Sequence, residues 1–222
     1  MLFSCTREVN FMSAVLKPKF DEEDFYPIRE EGKPMAETDL HVTAILDLIQ
    51  YLRFHFRDEP VVVLGDHTLY YERGNPKKFV APDVFVVKGV EKELPRRVFK
   101  LWEEKPPSVV FEISSRSTWA DDFYKKWKLY EQIGVLEYYI FDPEYDYLPE
   151  PIIAFKRKNG EFEKARVKKG RIFSEELGLE IVDTGKGLRL YEPKTKQFLS
   201  TYDEAQAEIA RLRAELVSLK TK

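Results

Sequence analysis

The 222-residue chain has one cysteine, three histidines and almost no surplus of either charge, with 36 Lys and Arg set against 39 Asp and Glu. A lone Cys5 cannot form an intramolecular disulfide or any cysteine-cluster zinc site. His41, His55 and His67 lack metal-binding spacing such as His-Glu-x-x-His. Both absences fit a reducing, cytoplasmic setting. A net charge of −3 lacks the basic excess of many nucleic-acid binders, so any phosphate-binding surface has to be local. No apolar run approaches the roughly 18 residues of a membrane-spanning helix. The first twenty residues carry charge too early to read as a signal peptide, and the weak structural signal before Met12 makes Met12 the expected start. What is present is 43% hydrophobic and 14% aromatic residues, enough to fill the core of one domain with an appendage.

The stretch 38–56 has apolar residues at 42, 45, 46, 49, 52 and 56, a helical spacing, with Thr38 placed to cap the first turn. The segment 60–74 reads as two short strands meeting at Gly65-Asp66, and 77–87 as a third whose Pro82 is tolerated at a bulge or strand start. "SVVFEI" at 108–113 is an almost continuous apolar run, as in a strand buried on both faces. A second helix follows over 118–134, with Thr118 and Asp121 as a capping pair, a stripe through Phe123, Trp127 and Tyr130, and Gly134 as its stop. "LEYYIFDP" is then a strand, so strand, helix and strand form a parallel crossover unit over 108–142. The hairpin at 151–167 turns at Asn159-Gly160, and 188–193 is a further strand. This order predicts an α/β fold with a mixed sheet flanked by helices. The tail carries Ala205, Ile209, Leu212, Leu216 and Leu219 at alternating spacings of four and three, the period of a short coiled-coil seam.

Asp83 and Glu112 each stand in a strand-like segment, and carboxylates on paired strands converge because the strands lie about 5 Å apart. Such a hard oxygen site suits magnesium, which takes one or two carboxylates together with waters and substrate phosphate. The plain alternative is that both are solvated acids at strand ends. Asp122 and Lys126, four apart on the second helix, share a face, and the lysine can reach the end of the preceding strand; the plain alternative is a surface ion pair. Ser115, Ser117 and Thr118 gather where the helix begins, either to cap it or to receive a phosphate oxygen.

The run "PDVFVV", "PPSVVFEISSRST", Asp122, Lys126 and Tyr130 in a D-x-x-x-K-x-x-x-Y pattern, and "GVLEYYIFDP" resembles the Uma-type restriction endonuclease family of the PD-(D/E)XK nuclease superfamily. The similarity spans roughly residues 35–195. It implies a restriction-endonuclease-like fold and a metal-dependent endonuclease acting on DNA, with Mg²⁺ or Mn²⁺ held by Asp83, Glu112 and the Ile113 carbonyl. Ser114 stands where the superfamily's usual lysine falls, and the resemblance implies that Lys126 supplies the amino group from the helix. Glu37 resembles the acid that completes the metal site in these folds, Asp39 being an equal candidate by position. His41 matches a histidine early in the family's first helix, and a structural role suits it equally.

The expected organisation is an N-terminal extension (1–34), a nuclease domain (35–198) and a C-terminal helix (199–222) that could pair two copies of the chain. Basic residues at 95–100 and in the hairpin, among them Lys156, Arg157, Lys158, Lys164, Arg166, Lys168, Lys169 and Arg171, either follow a nucleic-acid backbone or are solvated surface. The competing function is a nuclease-like module that binds nucleic acid or a protein partner without cutting. A third reading is an accessory nuclease whose substrate a partner supplies.

Overall fold

The computed structural model describes residues 38–92 and 95–220. The expected extension 1–34, the proposed start at Met12 and the acid Glu37 lie outside them.

The chain first forms α1 (Asp39–His55), whose N-cap Thr38 accepts a hydrogen bond from the His41 N–H. Its buried face runs through His41, Leu48, Tyr51 and Leu52. The expected stripe was partly misplaced: Val42 is 43% and Leu46 51% exposed. Positions 41, 45, 48 and 52 recur on one side of a 3.6-residue helix and the sheet meets that side, leaving 42 and 46 over solvent.

Six strands make the main sheet, in the order β1 (Val61–Gly65), β4 (Val84–Lys88), β6 (Val109–Ile113), β7 (Glu137–Phe141), β8 (Ile152–Lys158) and β9 (Glu161–Ala165). β6 pairs antiparallel with β4 and parallel with β7, as the crossover reading requires. All five β6 residues are buried, because both faces of the sheet are covered. Val109, Phe111 and Ile113 join α1 in one core, whereas Val110 joins Tyr130 and Tyr138 in the other. Side chains alternate across a strand, so Glu112 is directed to the second face, where the crossover helix lies. Across β4 the same alternation puts Phe85 and Val87 on that face, and Asp83 continues their series. The β8–β9 hairpin turns through Asn159 and Gly160 at φ +53° and +93°, the left-handed pair that a two-residue turn needs.

Three local expectations are corrected. The strands at 61–65 and 69–70 do not form a hairpin: β1 pairs with β4, and β2 (Leu69–Tyr70) joins β3 (Phe79–Val80) and β5 (Phe99–Lys100) in a separate small sheet. The single strand foreseen at 77–87 is therefore split around Pro82 and Asp83. The second helix is α2 (Trp119–Asp121), a π turn (Asp122–Lys126) and α3 (Trp127–Gln132) in succession. Thr118 makes no side-chain cap; its hydroxyl accepts from the Ser115 N–H instead. The helix does stop at Gly134, at φ +94°, with the Val135 N–H returned to the Tyr130 carbonyl.

The strand expected at 188–193 is β12 (Leu188–Glu192), but it belongs to a four-stranded sheet with β10 (Arg171–Ser174), β11 (Leu179–Asp183) and β13 (Gln197–Phe198). Ile172, Leu179, Ile181 and Leu190 from this sheet pack into the core shared by α1 and the main sheet. The tail is α4 (Tyr202–Lys220), with no buried residue. No helix among the described residues is long and apolar enough to cross a membrane.

Beyond β7 the chain is held by Asp142, which is completely buried. Its Oδ1 accepts from the Glu144 and Tyr145 N–H groups and its Oδ2 from those of Tyr147 and Leu148. Glu144 in turn accepts from the hydroxyls of Thr38 and Tyr147, tying the start of α1 to the end of β7. Asp142→Ala removes the acceptor of four N–H groups at once and should cost about 3 kcal/mol. Urea unfolding checks this; a loss below about 1 kcal/mol would show that water replaces the carboxylate without penalty.

Candidate functional site

The ends of β4 and β6 and the π turn meet at one place, and the pairing register explains how. Val84 lies opposite Phe111, so the next rung toward the end of the ladder carries Asp83 and Glu112. Asp83 bends inward there: its Oδ2 accepts the Ile113 N–H at 2.6 Å, and its carbonyl accepts the Asp66 N–H. The N–H and C=O of one strand residue leave the strand on the same side, which directs the Ile113 carbonyl toward Asp83 as well.

Lys126 reaches across from the helix. Its Nζ lies 2.9 Å from Glu112 Oε2 and 2.8 Å from Asp122 Oδ1. The other oxygen of each acid is also engaged: Tyr130 donates its hydroxyl to Glu112 Oε1, and Ser114 donates to Asp122 Oδ2 at 3.1 Å. Ser114, Asp122, Lys126, Glu112 and Tyr130 thus form one continuous polar chain. Glu112 is 1% exposed and Asp122 and Ser114 are wholly buried, whereas the side chains of Lys126 and Asp83 each keep 22% exposure. The mouth of the site is therefore at Asp83 and Lys126. The π turn starts at Asp122, whose carbonyl also accepts the Tyr138 hydroxyl; π turns of this kind occur often at functional sites.

Burial controls the electrostatics. It pushes the Glu112 carboxyl up to about 8, with Asp83 and Asp122 adding to the rise and Lys126 opposing it. Asp83 is pushed up to about 6, again chiefly by burial, with the Ile113 N–H and Lys126 pulling it down. Burial by itself would lower the Lys126 ammonium, but Glu112 and Asp122 hold it above its ordinary value. The lysine is thus a fixed positive charge, and three acids share it.

The plain alternatives for the central residues do not survive this geometry: Glu112 is not a solvated strand end, and Asp122 and Lys126 are not a surface pair. Other sequence candidates fall elsewhere. Asp39 is exposed. Ser115, Ser117 and Thr118 bond to one another. His41 is buried with its Nε2 3.8 Å from Asp83 Oδ2, which places it behind the acid. Many of the cations thought to follow a nucleic-acid backbone are engaged within the protein. Lys156 pairs with Glu137 and Glu175, Lys158 with Glu163, Arg171 with Glu180 and Arg96 with Glu104, and Arg157 donates to the carbonyls of Val135, Glu131 and Gly160. Arg166, Lys168 and Lys169 are exposed.

Sequence reasoning placed Tyr130 in the apolar stripe and, without a role, in the D-x-x-x-K-x-x-x-Y pattern, read Ser114 as a departure from pattern, and missed that both orient acids. The available signal was spacing, since Tyr130 follows Lys126 by one turn and Ser114 follows Glu112 by two on the same strand face.

Among the described residues no three His, Cys, Asp or Glu side chains gather into a set that could hold a metal by themselves. The donors at the mouth still suit a hard divalent cation: two carboxylates whose charging is penalised by burial, and a backbone carbonyl. Glu112 Oε2 and Asp122 Oδ1 receive no well-directed hydrogen bond, only the lysine's charge.

A mixed sheet with two acids at adjoining strand positions and a lysine delivered by the crossover helix defines a protein of the restriction-endonuclease-like class. The chain belongs to the Uma2 family, described as "Putative restriction endonuclease", which it matches over residues 24–184. Membership makes it a nuclease-family protein. Among solved structures it is similar to one titled a "putative nuclease belonging to DUF820" from Anabaena variabilis ATCC 29413, at 14% identity and a TM-score of 0.47, covering 67% of this chain and 80% of that one. No curated protein matches the chain.

The raised Glu112 value has a consequence for stability. Below its ordinary value of 4.5 the carboxyl is protonated both folded and unfolded. Between 4.5 and about 8 only the unfolded chain releases the proton, so stability falls as pH rises through this window and levels off above it. In the metal-free protein Glu112→Gln should therefore match the native chain near pH 4 and exceed it at pH 9, the gap opening progressively between the two. Urea unfolding in chelator at both pH values measures this. A variant less stable than the native chain at pH 9 would mean that the ion pair with Lys126 outweighs the burial cost.

Proposed function

We propose that the protein is an endonuclease that hydrolyses phosphodiester bonds in DNA with the help of a divalent cation, Mg²⁺ or Mn²⁺. The observation that carries this is the meeting of Asp83, Glu112 and Lys126 at one partly open point. Asp83, Glu112 and the Ile113 carbonyl would hold the cation, which when bound lowers the pKa of water and offsets negative charge on phosphate. Tyr130 and Lys126 divide the two Glu112 oxygens and orient the carboxylate. Asp122, itself fixed by Ser114, holds the Lys126 ammonium at the mouth. A lysine kept charged does not act as a base. Its contribution is electrostatic, placing a preorganised positive charge where a phosphate gains negative charge in the transition state. Ser114 at the usual lysine position is compatible with this, since it anchors the acid that holds the relocated amine.

The engagement of many basic groups in internal ion pairs favours one other reading, a module that binds without cutting. Incubation with supercoiled, linear and single-stranded DNA and with RNA, in Mg²⁺ or Mn²⁺, separates the two. Cleavage should vanish in chelator, be lost in Asp83→Asn, and fall on the order of 10²- to 10³-fold in Lys126→Ala. Mn²⁺ should also raise the thermal midpoint of the native protein but not of Glu112→Gln. Cleavage that survives Asp83→Asn, or a protein that binds Mn²⁺ without cutting any of these substrates, would overturn the catalytic reading.

A further inference from the structure

The helix α4 stands apart from both cores. Thr201 and Glu204 fix its first turn reciprocally, the Glu204 N–H donating to the Thr201 hydroxyl and the Thr201 N–H to the Glu204 carboxylate. Arg189 holds Glu204 from the C-terminal sheet. Past this anchor the apolar stripe is not buried by any described residue: Ile209 is 40%, Leu212 44%, Leu216 57% and Leu219 63% exposed. Four large aliphatic side chains at spacings of three, four and three are an unusual solvent face.

The charges beside this stripe are ordered. With Ile209 and Leu216 at the first core position of each heptad and Leu212 and Leu219 at the second, the flanking positions hold Glu208 and Glu215 on one side and Arg213 and Lys220 on the other. In a parallel pair of helices a residue on the first side faces the residue five further along the partner. Glu208 then meets Arg213 of the second copy, and Glu215 meets Lys220. An antiparallel pair would set glutamate against glutamate and cation against cation, which is repulsive. In the first of the two heptads Ile209 at the first core position with Leu212 at the second also favours two parallel strands.

We infer that α4 joins two copies of this chain as a parallel two-stranded coiled coil, with Glu208–Arg213 and Glu215–Lys220 bridges between the copies. The seam is short, so the association is reversible at micromolar protein. The intrahelical pair of Glu208 with Arg211 is the contact that the intermolecular bridge exchanges.

The test uses the full chain and four variants, the native chain and three of them followed by sedimentation equilibrium from about 1 to 100 µM and the fourth by crosslinking. The native protein should pass from the 26.2 kDa monomer to twice that mass within the range. Leu212→Lys with Leu216→Lys should stay monomeric, its circular dichroism and thermal midpoint showing the domain intact. Glu208→Lys with Glu215→Lys makes both flanks basic, and Arg213→Glu with Lys220→Glu makes both acidic. Each should be monomeric by itself, and mixing the two should restore the dimer. Orientation is read by oxidising Leu219→Cys in a Cys5→Ser background, which crosslinks a parallel pair and leaves an antiparallel one uncrosslinked. A native chain that is monomeric at every concentration, a dimer that survives the two leucine changes, or a failure of the charge-reversed variants to combine would overturn the proposal.

Discussion

The position of one ammonium group organises this molecule. Lys126 lies within 3 Å of two buried carboxylates, Glu112 and Asp122, and without it the interior would hold acids whose ionisation burial strongly opposes. Such clusters persist only when every member is paired or hydrogen-bonded. Here Tyr130 and Ser114 satisfy the outer oxygens. The arrangement is a costly one for stability, and the same features make a prepared electrostatic site: a desolvated acid, a fixed cation and one partly open carboxylate at the mouth.

The rest of the fold serves that meeting. Alternation along β6 directs Glu112 away from the core shared with α1 and toward the crossover helix. The parallel β6–β7 pair requires that helix to pack over the second face of the sheet, and the π turn sets Asp122 and Lys126 above Glu112. Asp142 and Glu144 fasten the loop after β7 to the start of α1, and His41 on α1 lies behind Asp83. Several elements contribute to the site, which is why residues from 41 to 138 in the chain surround it. The tail stands apart from this machinery, and its apolar stripe and ordered charges are what the proposed pairing with a second copy would use.

Some of this was legible beforehand and some was not, for identifiable reasons. The crossover unit could be read because β6 is an unbroken apolar run and the following helix has a clear stop at Gly134. Asp83, Glu112 and Lys126 could be noticed as ionisable groups beside apolar strand segments and on the following helix, but spacing left their plain alternatives open and the family resemblance is what marked them as a set. The face of α1 was misread because Val42 and Leu46 are as apolar as the residues that face the sheet, and hydropathy does not say which side a neighbour will occupy. The sheet of β10 to β13 was largely missed because its strands are short and exposed charges interleave with the buried residues, so each segment leaves little periodic trace although consecutive strands pair across short connections.

The sequence by itself determined which segments are strands and helices in the central unit, which three ionisable side chains stand out there, and that the tail carries an apolar stripe. These are consequences of local periodicity and of ionisable groups placed where the pattern calls for apolar ones. Only the tertiary structure decided that Ser114 and Tyr130 complete the acids' hydrogen bonds, that the helix widens into a π turn at Asp122, and that many cations of the hairpin are engaged with glutamates and carbonyls. Those outcomes depend on which groups meet across space, and a buried charge takes its partner from whatever element packs against it, however far away in the chain.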